Sequence, residues 1–109
     1  DPVVGSRMIK ILQEFEADPQ TEAVIIVGEI GGSSEEEAAD FIKEMTKPVI
    51  AYIAGRTAPS GRRMGHAGAI ISRRGQGTVQ GKIKALDMAG ALIAKKPSDV
   101  AGLLKGCLK

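Results

Sequence analysis

The sequence predicts an α/β domain: a parallel sheet sandwiched between helices as a three-layer α/β/α arrangement. Three observations carry this. Two short unbroken apolar runs, AVIIVG at Ala23–Gly28 and PVIAYIAG at Pro48–Gly55, have the length and content of strands buried on both sides. Segments with apolar residues at helical spacing alternate with them, the mark of repeated βα units and right-handed crossovers. Aromatic residues make up only 3% of the chain, against 14 glycines, which suits helices and strands that approach closely.

The elements follow in order. Met8, Ile11, Leu12 and Phe15 recur as one face of a first helix, with Ser6 placed to cap it and Asp18-Pro19-Gln20 to close it. The Ala23–Gly28 strand comes next. In EIGGSSEEEAADFIKEM, Gly31-Gly32 makes a turn, Ser33 or Ser34 is placed as N-cap, and Glu36 or Glu37 completes a capping box. The glutamates at 35–37 suit the positive end of the helix dipole, and Ala38, Phe41, Ile42 and Met45 form the buried stripe. Lys47-Pro48 stops this helix, and Pro48–Gly55 is the second strand. Residues 56–77 are rich in glycine and arginine and are long for a connection, as functional loops are. A helix from about Thr78 to Met88 then carries Ile83, Leu86 and Ala89 inward, with Gly90 as its C′ residue. Ala91–Ala94 is a short strand. Pro97-Ser98-Asp99 opens a last helix that turns Val100, Leu103, Leu104 and Cys107 or Leu108 inward.

A length of 109 residues fits one domain, 1–109. The chain opens at Asp1-Pro2 on a helix, and three strands make a small sheet. A sheet lacking its first βαβ portion is therefore expected, in a fragment or a processed product. No apolar run reaches the roughly 20 residues of a membrane span. Cys107 is the single cysteine and His66 the single histidine, so no internal disulfide and no metal cluster are expected. A reducing compartment follows from the same usage. Charge is divided along the chain: residues 1–47 hold eleven acids and four bases, residues 48–109 eleven bases and two acids. A basic half suits an anionic ligand, or simply decorates different helices.

Ligand sites of parallel sheets lie beyond the carboxyl ends of the strands. Here GEIGGSS follows the first strand and GRTAPSGRRMGHAG the second, so Glu29 and His66 are expected on one rim. A neutral imidazole can carry a phosphoryl group on one ring nitrogen when a carboxylate holds the other. Glu29 is placed to be that carboxylate. Small residues around His66 leave room for an anion, and the Gly31-Gly32 turn offers backbone donors. Arg62 and Arg63 can balance phosphate charge or hold an acidic substrate. Each has a plainer reading: His66 as a surface residue, Glu29 as a solvated strand end or cap, Arg73 and Arg74 as a solvated turn, Cys107 and Tyr52 as packing. No P-loop or GxGxxG turn follows a strand.

GEIGGSSEEEAADFIKE followed by KPVIAYIAGRTAPSGRRMGHAGAII resembles the C-terminal ligase domain of the succinyl-CoA synthetase α subunit, over essentially the whole chain. The resemblance implies a flavodoxin-like fold and a ligase that makes succinyl-CoA from succinate, coenzyme A and a nucleoside triphosphate. It implies that His66, in GHAGA, is the phosphorylated nucleophile and that Glu29, in GEIGG, orients it. Arg62, Arg63, Gly65, Ala67, Gly68, Gly31 and Gly32 then surround the phosphate or substrate. A β subunit that binds the nucleotide and Mg2+ is the implied partner, with succinate, CoA and phosphate as ligands of the complete enzyme. The implied compartment is a prokaryotic cytoplasm or the mitochondrial matrix, with no nucleic-acid or membrane partner.

Departures from the family pattern bear on this. Nothing matches the CoA-binding N-terminal domain or the early strand–turn–helix of the ligase domain, and SRRGQG stands at 72–77 where small residues are usual. By itself the chain is expected to be inactive and to bind no cofactor. A ligase for acetate or citrate, and a non-catalytic module that binds a β-type subunit, are the competing readings.

Overall fold

The computed structural model describes residues 5–55 and 77–108. In chain order these form α1 (Met8–Ala17), β1 (Val24–Gly28), α2 (Ser34–Ile42), β2 (Val49–Ile53), α3 (Val79–Met88), β3 (Leu92–Ala94) and α4 (Asp99–Cys107). The described strands form one parallel sheet in the order β1-β2-β3. The alternation read from the sequence is therefore the architecture observed.

Strand register sorts the side chains. Val24 pairs with Val49, Ile26 with Ala51 and Gly28 with Ile53. All but Gly28 join a single buried cluster with Leu12 of α1, Ala38, Ala39 and Ile42 of α2, and Val79, Leu86 and Ala89 of α3. Both crossovers step the same way along the sheet, and α2 and α3 share one buried cluster on it and pack on each other. The alternate residues point the other way. On that face Ile50 is fully buried, and α4 packs against β2 and β3. The third layer stops short of β1, whose Ile25 and Val27 stay exposed.

Helix ends differ from expectation in detail. Arg7, not Ser6, is the N-cap of α1, and no side chain caps it. Ser33 is the N-cap of α2, but its hydroxyl meets the Glu37 carboxylate at 3.2 Å rather than a backbone N–H, so no capping box forms. The helix ends at Ile42, and Met45 packs against the core from the following turn. In contrast, the Thr78 hydroxyl accepts from Gly81 N at 3.0 Å. The far end of α3 closes as a Schellman turn: Ala91 N donates to Leu86 O and Gly90 N to Asp87 O, both at 3.0 Å, with Gly90 at φ 99°. The apolar residues of α4 are half-buried or exposed rather than fully inward.

Candidate functional site at the carboxyl rim of the sheet

The rim is built from the ends of β1 and β2 and the start of α3. Gly28 ends β1 beside Ile53, and its carbonyl accepts from Ala54 N at 2.8 Å. Glu29 follows, exposed at the rim. Ile30 turns down into the core at 4% exposure and packs on the α-carbon of Gly55, where a β-carbon would lie 2.7 Å from its Cγ2. Gly31 N then donates to Gly77 O at 2.8 Å. Gly77 has φ 83°, and a β-carbon there would sit 3.0 Å from the Gly31 α-carbon, so only glycine fits that crossing.

These contacts join three stretches of chain. Gly55 precedes residues 56–76 and Gly77 follows them, and both lie against the Gly28–Gly31 turn. Expected site residues Arg62, Arg63, Gly65, His66, Ala67 and Gly68 lie outside the described residues. Glu29, Gly31 and Gly32 lie within them, on the rim. The Gly31 amide is committed to Gly77, and its positive φ of 91° and that of Gly32, 66°, shape the turn. Among the described residues no group of three or more His, Cys, Asp or Glu is arranged to hold a metal. No described helix is long and apolar enough to cross a membrane.

Beneath the turn lies a feature that sequence reasoning missed. Lys82 of α3 is 1% exposed and Glu35 of α2 is 6% exposed. The Lys82 ammonium donates to the Glu35 Oε2 and, at 2.5 Å, to the Gly31 carbonyl. The other carboxylate oxygen, Glu35 Oε1, lies over Gly28, 2.6 Å from where a β-carbon would stand. Buried charges are rare unless paired and hydrogen-bonded, and here both conditions are met. The signal was present: Val79, Lys82, Leu86 and Ala89 share one helical stripe, so the lysine falls on the apolar face.

Known proteins resemble this chain in sequence and in fold. The CoA-ligase family profile matches residues 1–92. The chain is 56% identical over 104 residues to the α subunit 2 of the ADP-forming succinate–CoA ligase of Archaeoglobus fulgidus, covering 95% of this chain and 36% of that protein. It is 54% identical over 110 residues to a subunit of the ADP-forming sulfoacetate–CoA ligase of Bilophila wadsworthia, covering 99% of this chain and 37% of that one. Among solved structures, the Methanosaeta concilii ATP citrate lyase in complex with (3S)-citryl-CoA superposes with a TM-score of 0.79 at 27% identity, over 94% of this chain and 17% of that chain. The chain thus spans little more than a third of the curated relatives. With a family profile matched across most of its length, on a fold shared with a solved acyl-CoA enzyme, this chain belongs to the CoA-ligase family.

Proposed function

We propose that the chain is the phosphoryl-carrier domain of a nucleoside-diphosphate-forming acid–CoA ligase, with His66 as carrier and Glu29 as its orienting carboxylate. One observation carries the reading. The segment 56–76, which contains His66, leaves and re-enters the fold against the turn that bears Glu29: Ala54 N donates to Gly28 O, and Gly31 N donates to Gly77 O, each at 2.8 Å. A carrier histidine needs its second ring nitrogen held by an acceptor, and Glu29 is the acid on that turn.

The chemistry runs in three displacements. A ring nitrogen of His66 attacks the γ-phosphorus of the nucleoside triphosphate, and the bond to the diphosphate oxygen breaks. A carboxylate oxygen of the acid then takes the phosphoryl from nitrogen, giving an acyl phosphate. The CoA thiol, losing its proton, attacks the acyl carbon and expels phosphate. Splitting the reaction in this way avoids gathering nucleotide, acid and CoA at one centre. Phosphoryl transfer depends on positioning and charge stabilisation. Arg62 and Arg63 supply charge in this scheme, and Gly65, Ala67, Gly68 and Gly32 supply close backbone approach, with Gly31 fixing the turn.

The nucleotide, Mg2+ and CoA sites are assigned to the partner β subunit and to parts of the complete enzyme outside residues 1–109. The residues of this chain would then act at the transfer itself. A cytoplasmic or matrix setting suits these substrates. Succinate is the acid we favour, from the 56% identity to a succinate–CoA ligase subunit. A second acid is favoured by the nearly equal 54% identity to a sulfoacetate–CoA ligase subunit.

The test is incubation of the complete α subunit carrying this chain, with its β subunit, in γ-labelled triphosphate. Acid-labile, base-stable label is expected, and none in His66→Asn. Label that persists in His66→Asn removes the carrier reading.

A further inference from the structure

We infer that the buried Lys82–Glu35 pair is a positioning device for Glu29, gripping the rim turn on both sides of that carboxylate. The inference rests on the carrier reading above and adds residues to it.

Burying two charges is costly. Lys82 and Glu35, at 1% and 6% exposure, have both given up their water. A buried ion pair is a poor means of holding two helices together, since apolar residues of like volume do as well or better. What apolar residues do not supply is a charged donor to a backbone carbonyl. Lys82 supplies one, reaching across from α3 to Gly31 O at 2.5 Å.

The pair touches both flanks of Glu29. On one side Glu35 Oε1 rests over the α-carbon of Gly28. On the other, Glu35 Oε2 holds Lys82, which holds Gly31. Gly31 is fixed at both polar groups, its carbonyl by Lys82 and its amide by the carbonyl of Gly77, two residues ahead of α3. Ile30, buried against Gly55, pins the turn between them. Glu29 is thus set between anchored neighbours, Gly28 under Glu35 of α2 and Gly31 held by Lys82 of α3. A shift in Lys82 therefore moves the Glu29 backbone relative to Gly55 and Gly77, and misplacement by about 1 Å costs a positioned reaction roughly a hundredfold.

The experiment uses the complete α subunit with its β subunit, and reads single-turnover phosphorylation of His66, the KM for triphosphate, and melting temperature. Lys82→Met is expected to slow phosphorylation about tenfold or more, with KM changed less than about twofold. The doubly apolar Lys82→Met/Glu35→Leu variant is expected to regain the melting temperature without regaining the rate. In a Glu29→Gln background, Lys82→Met is expected to cost less than about twofold further, because both act through one carboxylate. A rate that returns with the melting temperature in the apolar pair overturns the inference, and so do losses that multiply in the Glu29→Gln background. His66→Asn separates the levels. Label surviving there ends the carrier reading itself, whereas label lost there with Lys82→Met at full rate ends the positioning role alone.

Discussion

Gly28 has no space for a side chain. A β-carbon would lie 2.6 Å from Glu35 Oε1 and 2.9 Å from Ile53 Cδ1, and Glu35 cannot swing away without abandoning buried Lys82. Gly28→Ala is therefore expected to destabilise the domain by about 1–3 kcal/mol, read as a fall in urea midpoint. An unchanged midpoint would mean that Glu35 has another place to go. At this scale the sequence was half legible. The rim position of Glu29 was legible, because a carboxylate one residue past a buried run lands there, while its role belongs to the proposal above. Lys82 and Glu35 were not, because lysine and glutamate are read as surface residues by default. Only the register of Lys82 with Val79 and Leu86 marks it as buried, and that shows which way it points without showing what it meets.

Between elements, α1 is fastened to the turn before β2 by one carboxylate. Glu16 accepts from Thr46 N at 2.9 Å and Lys47 N at 3.1 Å, and from the Thr46 hydroxyl. Lys47 in turn donates through its ammonium to Phe15 O at 2.7 Å and to Asp18 O, closing the carbonyl end of α1. The Thr46 backbone N–H is the main reason the Glu16 carboxyl lies below its ordinary value of 4.5. The sign follows from linkage. The fold prefers the ionised group, so its contribution is complete above the unfolded pKa and fades as pH falls through the lowered folded one. Glu16→Gln is expected to lower the urea midpoint at pH 7, with the gap to wild type closing below about pH 4. A gap that is constant with pH would assign the effect to packing. This tie was not legible: its partners lie thirty residues apart. Caps were read unevenly for a related reason. Gly90 does what its type suggests, Thr78 turns out to be the N-cap rather than the first helical residue, and the Ser6 cap and the Ser33 box do not form, because capping depends on backbone angles that composition leaves open.

For the whole molecule, the α/β order and the parallel sheet were legible because unbroken apolar runs and helical stripes differ in period and length. The layer boundaries were less so. The α4 sequence has an apolar stripe, yet no residue of it is fully buried, because the helix packs mainly over β2 and β3. Leu86 is different: fully buried at the meeting of α3 with the sheet, it belongs to the shared cluster. Leu86→Ala is expected to cost about 2–5 kcal/mol by thermal or urea unfolding, and a loss under 1 kcal/mol would place the centre of the core elsewhere.

The short reach of α4 also leaves a bare flank. Ile25 and Val27 are 43% and 68% exposed, and beside them an open groove of about 360 Å³ runs between β1 and α1, with Ile11 and Phe15 on its wall. Among the described residues β1 is also an outer strand, with one row of backbone groups facing away from β2. A greasy strip next to an unzipped ladder is adhesive. Purified alone, the 109-residue chain is expected to sediment heavier as it is concentrated, and Val27→Lys to keep it a monomer, a difference that sedimentation velocity would detect.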